Sequence, residues 1–183
     1  MANTRKNEIL TINKIRFDPT NPREDDIDIR DIAHALSMMT RANGHFTEFY
    51  SVARHSVNCA LEATARGYSK RVALFCLLHD SAESYIGDMT RPLKMHFPLF
   101  SEYEKKLQKV IFSKYATLDI DDDEKEKVKS VDDSLLYHEF LCYHGDKLFD
   151  FTPEIHIDVK NNSKNISETE KEFLCMYEAL KIK

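Results

Sequence analysis

The stretch KRVALFCLLHDSAESYIG, residues 70–87, contains seven consecutive apolar residues from Val72 to Leu78. A helix that is apolar on nearly every side is typical of the centre of a domain, so we predict that this stretch forms the central buried helix. Two polar residues, His79 and Asp80, follow the apolar run directly. Burying such a pair costs free energy unless something compensates it, which makes the pair the first candidate for a functional role.

Helical spacing of apolar residues recurs on both sides of this stretch and predicts an all-α fold of about six helices. The predicted helices are Ile27–Met39, Ser51–Arg66, Lys70–Ile86, one that starts at the capping box Ser101–Glu104, one through Val128–Cys142 that ends near Gly145, and one that starts at Ser167–Glu170. Ser69 is the predicted N-cap of the central helix, and Gly87 is its predicted end.

The segments between these helices are predicted to be irregular. They are the extended lead-in 1–26 with its possible acidic cap Glu24–Asp26, the loop Thr40–Phe49, the linker Asp119–Lys127, and residues 146–166, in which Glu154–Val159 is a candidate short strand. Only 4 glycines and 5 prolines occur in 183 residues, which argues against a turn-rich β-sandwich. No repeat or low-complexity tract divides the chain, so we predict one domain over residues 1–183.

The composition, with 42% hydrophobic and 31% charged residues, is ordinary for a soluble globular protein. A net charge of −5 argues against a broad grip on a nucleic-acid polymer, but not against a small anion held in a locally positive pocket. The N-terminal sequence MANTRKNEIL lacks the apolar core of a signal peptide, and no apolar run approaches membrane-spanning length. The four scattered cysteines are predicted to be thiols. We therefore expect a cytoplasmic protein without a membrane partner.

A divalent metal would compensate the pair His79 and Asp80, since imidazole and carboxylate both bind first-row cations. Adjacent helical residues point about 100° apart, so one ion needs further ligands from other helices. His55, on the inward stripe of the preceding helix, and Asp132, on a later helix, are the candidates. Such a set leaves positions open for water and a phosphate oxygen, as in catalytic sites. The alternatives are an ordinary hydrogen-bonded core histidine at position 55, and Asp133 in place of Asp132.

Further polar residues follow the pair. Glu83 comes one helical turn after His79 and shares its face, which favours a role in activating water or protonating a leaving oxygen. Asp88 in the next loop is a second candidate for that role, and Arg91 or Lys94 is a candidate for contacting phosphate. The alternative is that the loop is an ordinary polar segment, and for Lys94 we favour that alternative.

The order of a histidine, an adjacent His-Asp pair and a distant aspartate resembles the pattern of the HD-domain metal-dependent phosphohydrolases. The runs DIDIRDIAHALSMMTRANGHFTEFYSVARHS (residues 26–56) and LLHDSAESYIGDMTRPLK (residues 77–94) are similar to those of the YfbR-type 5′-deoxynucleotidases and of small phage phosphohydrolases, which include dATP triphosphohydrolases. The resemblance extends over roughly Phe17–Glu139 and implies a single helical HD-domain bundle.

The resemblance also implies roles for individual residues. The metal ligands would be His55, His79, Asp80 and Asp132. Glu83 would be the catalytic acid/base, and Asp88 a second catalytic carboxylate that also lies against the sugar. Arg41 matches an arginine that orients the phosphate, and the substrate-contacting turn would consist of Asp88, Met89, Thr90 and Arg91.

One position departs from the family pattern. An aromatic residue usually follows the phosphate-orienting arginine directly, where a base or sugar packs, and here that residue is Ala42. Phe46, Phe49 and Tyr50 are the candidates to take its place. The base preference and the length of the substrate are therefore open.

Three functions are predicted, in order. The first is metal-dependent hydrolysis of 5′-deoxynucleoside monophosphates to nucleoside and phosphate. The second is a dNTP triphosphohydrolase that releases triphosphate, which cations at the pocket mouth would favour, with Arg91, Lys94 and Arg54 as candidates. The third is an inactive nucleotide-binding module. The cofactor is predicted to be manganese, cobalt, iron, nickel or zinc, with magnesium also possible, and we expect a homo-oligomer of two or more copies.

Overall fold

Eight α-helical segments follow one another in the computed structural model, which describes residues 7–116, 120–159 and 165–182. The six longer helices are α1 (Ile29–Met38), α2 (Val52–Ala65), α3 (Lys70–Leu78), α6 (Pro98–Ala116), α7 (Asp122–Tyr143) and α8 (Ile166–Leu180). Two single turns, α4 (Glu83–Ile86) and α5 (Arg91–Lys94), lie between α3 and α6. A short antiparallel hairpin joins β1 (Ile9–Leu10) to β2 (Arg16–Phe17). The predicted all-α fold is confirmed.

The core is built around α2 and α3, which pack against each other and are both contacted by α7 and α8. Every residue from Val72 to Leu78 is buried, so α3 is the central helix that its sequence predicts. Helix α2 is buried along most of its length as well. α1 packs on α2 and α8, and α6 packs on α3. This arrangement brings the first turn of α2, at His55, next to the C-terminal end of α3.

The central helix is interrupted where the sequence predicts continuity to Ile86. α3 ends at Leu78, and α4 begins at Glu83 after a tight turn. The Gln108 side chain of α6 accepts a hydrogen bond from the Ala82 N–H at 3.0 Å and donates one to the Leu78 carbonyl at 2.7 Å. It therefore satisfies backbone groups that the break frees, which apolar spacing within one helix does not reveal. Gly87, at φ +82°, ends α4 as predicted.

The predicted helix starts are partly wrong. Ser69 does cap α3 by accepting a hydrogen bond from the Val72 N–H. The acidic cluster Glu24–Asp26 forms a 3-10 turn instead of capping α1, whose N-cap is Asp28. α6 begins three residues before Ser101, at Pro98, because a proline at a helix start gives up no hydrogen bond.

Two later starts also differ from prediction. α7 begins at Asp122, inside the predicted linker, because Asp121 and Glu124 form a capping box. α8 begins at Ile166 with a capping box of Asn165 and Glu168, so Ser167 lies inside the helix. The apolar spacing does not fix the first residue of either helix. The start is set by the side chain that accepts a hydrogen bond from the N3 backbone N–H, which is Asp121 in α7 and Asn165 in α8.

The other predicted segments have mixed outcomes. The lead-in contains the β1–β2 hairpin and is not extended throughout. Gly145, at φ +81°, follows the end of α7 as predicted. Residues 146–159 are irregular and form no strand, so the candidate strand is wrong, while residues 1–6, 117–119 and 160–164 lie outside the described part. None of the described helices combines the length and the apolar composition that crossing a bilayer needs.

We predict that Asp121→Ala lowers the free energy of unfolding by about 1 kcal/mol, because it removes the N-cap of the 22-residue helix α7. Asp122→Ala is the matched control, since its side chain is 97% exposed and its ion pair with Lys125 lies at the surface. We expect it to change stability by less than about 0.5 kcal/mol. Urea unfolding followed by circular dichroism measures both, and equal losses would contradict the capping role.

Candidate metal centre

Four polar side chains from three parts of the chain meet at one point in the core. His55 is contributed by α2, His79 and Asp80 by the turn that follows α3, and Asp132 by α7. His55 is fully buried, and the other three side chains are 13% to 23% exposed. His79 keeps helical backbone angles, and the chain continues past Asp80 in i→i+3 turns, in which the Ser81 N–H donates to the Leu78 carbonyl and the Glu83 N–H to the Asp80 carbonyl.

The donor atoms of the four residues lie close together. His55 Nε2 is 3.3 Å from His79 Nε2, 3.1 Å from Asp132 Oδ1 and 3.9 Å from Asp80 Oδ2. His79 Nε2 is 3.3 Å from Asp80 Oδ1 and 3.8 Å from Asp132 Oδ1. Ligand atoms about 2.1 Å from one cation lie about 3.0 Å apart at a right angle and about 3.4 Å apart at the tetrahedral angle. The four residues thus have nearly the spacing of a coordination shell.

Hydrogen bonds on the far side of each ring orient both histidines. His79 Nδ1 donates to the Cys76 carbonyl at 2.7 Å, and His55 Nδ1 donates to Glu139 Oε1 at 2.6 Å. Because a carbonyl and a carboxylate only accept, each Nδ1 carries a proton, and each Nε2 is the nitrogen that faces the centre. This outer arrangement is the usual one for metal-binding histidines.

The charges of the centre also fit a divalent cation. Asp80, Asp132 and Glu139 are three carboxylates, and Arg41 is the permanent cation that contacts all of them. With neutral histidines, these four groups leave two negative charges, the amount that one divalent ion neutralises. Without an ion, the carboxylates favour the protonated form of His79. Burial opposes that charged form, but Asp80 and Asp132 outweigh burial and raise the pKa of His79 to about 9.

The buried carboxylates show the complementary shifts. Burial alone would raise the pKa of Asp132, but hydrogen bonds to His55 and His79 hold it well below its ordinary value. The pKa of Glu139 is lowered in the same way, because His55 and Arg41 outweigh its complete burial. Both carboxylates are therefore ionised and able to hold a cation or a protonated imidazole.

Cys59 offers a rival donor, since its sulfur lies near His55 and His79. Sγ is 3.4 Å from His55 Nε2 but only 4.0 Å from Nδ1 of the same ring. An ion bound by His55 lies on the lone-pair axis of Nε2, on the side of the ring opposite to Nδ1, so its other ligands lie far from Nδ1. The Cys59 sulfur is nearly as close to Nδ1 as to Nε2 and therefore lies over the side of the ring, away from that axis. Burial also raises the pKa of the Cys59 thiol well above its ordinary value. The carboxylates are the better donors here.

Arg41 reaches the centre from the loop before α2. Its Nε donates to Glu139 Oε2 at 3.0 Å, while Nη1 and Nη2 lie 3.4 Å from Asp80 Oδ2 and Asp132 Oδ1. The backbone N–H of Arg41 donates to the carbonyl of Tyr50 at 2.8 Å, which closes the base of the loop. The position predicted to orient a phosphate is therefore next to the four donors.

A cleft of about 250 Å³ opens from the centre toward α6. His79, Asp80, Glu83, Lys94, Lys105 and Gln108 are among its lining residues. Glu83 is 7% exposed, and its Oε2 has no hydrogen-bond partner among the described residues. Burial, aided by Asp80 and Asp88, raises the pKa of Glu83 to about 9. A protonated carboxyl group thus faces the space beside His79.

The turn predicted to contact substrate, Asp88–Arg91, contributes none of the residues that line the cleft. Asp88 is close enough to Glu83 to affect its pKa, and it is half-buried, as are Met89 and Thr90. The Thr90 carbonyl accepts backbone hydrogen bonds that start α5, and the Arg91 side chain is exposed. Lys94, for which the sequence favours an ordinary loop role, lines the cleft and pairs with Glu104 at 2.7 Å.

Other sequence candidates lie elsewhere. Asp133 points to an ion pair with Lys129, so Asp132 is the aspartate at the centre. Arg54, one of the candidate cations for a pocket mouth, is buried between α2 and α8, where it donates to Glu172 at 2.5 Å. Phe46 and Tyr50 are buried in an aromatic cluster with Tyr143, which leaves the half-exposed Phe49 as the aromatic residue of this loop that is accessible.

Sequence reasoning missed two residues of the centre. Glu139 is completely buried and contacts both His55 and Arg41, and Gln108 holds the break that places His79 and Asp80. A signal for Glu139 existed: it follows Asp132 by seven residues and so shares the same face of α7. Gln108 gave no comparable signal, since a glutamine on an amphipathic helix is usually exposed.

Comparisons with known proteins give relatives but no activity. No protein-family model matches this chain. It is 40% identical over 92 residues to the uncharacterized protein YfdR of Escherichia coli. The matched residues make up 50% of this chain and 49% of that protein. It is 44% identical over 84 residues to an uncharacterized protein of Rhodobacter capsulatus, covering 43% and 42% respectively. The chain thus spans about half the length of these relatives.

We predict that Asp132→Asn weakens the binding of manganese by more than about 100-fold, since losing a direct ligand exceeds the 10–100-fold typical of an outer partner. Asp133→Asn is the matched control and should bind manganese as the wild type does. Cys59→Ser should also leave affinity unchanged. Titration calorimetry on metal-stripped protein measures the manganese affinity of all three variants. If Cys59→Ser alone lost affinity, the Cys59 thiol would be the metal ligand in place of Asp132.

Proposed function

We propose that the protein is a metal-dependent phosphohydrolase of the HD type that hydrolyses 5′-deoxynucleoside monophosphates to nucleoside and phosphate. The observation that carries the proposal is the convergence of two Nε2 atoms and two carboxylates beside a fixed arginine. His55, His79, Asp80 and Asp132 would hold the cation. The bound ion would polarise a phosphoryl oxygen and lower the pKa of a water molecule.

The residues around the centre have the geometry for the remaining tasks. Arg41 presents Nη1 and Nη2 toward Asp80 and Asp132, where a phosphate next to the cation would meet two donors on one planar group. Glu83 lines the cleft beside His79 with an unpartnered oxygen, which supports a role in giving a proton to the leaving oxygen. Asp88, near Glu83, is the second carboxylate of this half of the site.

A longer substrate is the second candidate, because Lys94 and Lys105 line the same cleft. Two ammonium groups along the path from the centre suit the additional phosphates of a dNTP, from which a triphosphohydrolase would release triphosphate. Glu104 pairs with Lys94 and opposes this, so the monophosphate remains the first proposal. The cytoplasmic location, the single domain and the homo-oligomeric state remain predictions of the sequence.

The deciding experiment measures products from a panel of deoxynucleoside mono-, di- and triphosphates with manganese, cobalt and magnesium. We expect nucleoside and orthophosphate from monophosphates, and no turnover with Asp80→Ala. Intact triphosphate from a dNTP would replace the first proposal by the second. No metal-dependent turnover of any member, together with protein that purifies without stoichiometric metal, would favour the inactive nucleotide-binding module.

We predict that Glu83→Gln lowers kcat by about 10²–10⁴-fold, as expected for the loss of a general acid, while manganese affinity is unchanged. Glu104→Gln, which alters a carboxylate on the far side of the cleft, should retain most of the activity with monophosphates. Steady-state kinetics together with metal titration separates the two effects. Full activity of Glu83→Gln would remove its proposed role.

Substrate length gives a further prediction. If the cleft holds extra phosphates, Lys105→Ala raises KM for dNTPs by about tenfold while the KM for monophosphates stays the same, since only the longer chain reaches that lysine. Lys106→Ala is the control, because its side chain bonds the Thr20 carbonyl outside the cleft. Equal effects of Lys105→Ala on both substrate classes would argue against a polyphosphate path.

A further inference from the structure

We propose that Glu139 is a positioning residue that couples the metal-binding half of the centre to Arg41, an inference that rests on the proposed function. The two oxygens of its carboxylate have different partners. Oε1 accepts from His55 Nδ1 at 2.6 Å and from the Tyr50 hydroxyl at 2.9 Å, while Oε2 accepts from Arg41 Nε at 3.0 Å. One fully buried side chain thus touches both halves of the centre.

The first oxygen determines how His55 meets the cation. Since a carboxylate accepts and cannot donate, the proton of a neutral His55 lies on Nδ1, and the lone pair of Nε2 is directed at Asp132 and His79. A histidine without this partner can carry its proton on either nitrogen. Glu139 therefore selects the tautomer that binds a metal.

The second oxygen determines the plane of Arg41. The Nε bond to Glu139 is 3.0 Å, whereas the contacts of Nη1 and Nη2 with Asp80 and Asp132 are each 3.4 Å. A guanidinium is rigid and planar, so fixing Nε fixes the direction of the other two nitrogens. The firm bond is with Glu139, and the two long contacts are the ones that a phosphate oxygen would take over.

Glu139 is itself held in place. The Tyr50 hydroxyl donates to Oε1 and accepts from Asn58 Nδ2 at 2.8 Å, and all three residues are buried. A glutamine at this position has one acceptor oxygen and one donor nitrogen, so it cannot accept from His55 and Arg41 together. The neutral isostere therefore loses the bond to one partner and keeps only a neutral, weaker bond to the other, so both halves are weakened while the volume is nearly kept.

Glu62 provides a matched control within the same fold. It is also completely buried, and it accepts from Arg66 Nε at 2.7 Å and from the His156 N–H at 2.8 Å. Its partners lie in the segment after α7 and at the end of α2, and the centre is not among them. Removing its charge perturbs a buried carboxylate without touching His55 or Arg41.

The test measures manganese binding by titration calorimetry on metal-stripped wild type, Glu139→Gln, Glu62→Gln and Tyr50→Phe. We expect Glu139→Gln to weaken manganese binding by about 10–100-fold, as for other outer partners of metal-binding histidines. Glu62→Gln should bind as the wild type does, although both variants unfold at lower urea concentration. Tyr50→Phe, which keeps the carboxylate but removes one of its bonds, should weaken binding severalfold and gives the answer if Glu139→Gln does not fold.

The inference is overturned if Glu139→Gln binds manganese as tightly as the wild type does. It is also overturned if Glu62→Gln loses as much affinity as Glu139→Gln. If Glu139→Gln does not fold, wild-type affinity in Tyr50→Phe has the same consequence. If the wild type binds manganese but hydrolyses no nucleotide, the proposed activity is wrong, and the comparison of manganese affinities still tests the role of Glu139. If the wild type binds no manganese, both proposals are wrong.

A double-mutant cycle tests the arginine side with dAMP as the probe. We expect Glu139→Gln to raise KM for dAMP about tenfold when Arg41 is present and to leave KM unchanged in an Arg41→Ala background, because the effect acts through that side chain. The loss of manganese affinity should persist in both backgrounds. A rise in KM that is equal with and without Arg41 would contradict the coupling.

Discussion

The structure depends on how it keeps three carboxylates in its core. Asp80, Asp132 and Glu139 surround His55, which is completely buried, and an unpaired carboxylate in such a place would cost several kcal/mol. One arginine and two imidazoles are the compensating groups, so the charges balance only with protonated histidines or with an added cation. The centre can therefore reach neutrality in either of two ways.

The central helix is interrupted at the two residues that enter this centre. α3 ends at Leu78, and i→i+3 turns carry the chain through His79 and Asp80 to α4. Gln108 of α6 supplies a donor and an acceptor to the backbone at this point, so the groups that the interruption frees are hydrogen-bonded.

Some features of this structure can be predicted from the sequence and others cannot, and the difference depends on whether the interacting residues are neighbours along the chain. The central apolar run, the N-cap Ser69 and the glycine at position 87 could be recognised, because each is a property of neighbouring residues. His55, His79, Asp80 and Asp132 could be grouped only by resemblance and by apolar stripes, and the structure brings those four together. Glu139 and Gln108 act through contacts about 30 to 100 positions away along the chain. The place of Glu139 on the same face of α7 as Asp132 is its one local signal, and nothing local marks Gln108.

The loop from Arg41 to Tyr50 shows how far the buried charge shapes its surroundings. Ala42 and Asn43 both adopt positive φ, at 51° and 49°, a conformation that disfavours alanine in particular. The two ends of the loop are joined by a backbone hydrogen bond, so Arg41 and Tyr50 leave it side by side and both reach Glu139. Bonds to a buried carboxylate from both ends stabilise a loop whose tip is conformationally costly.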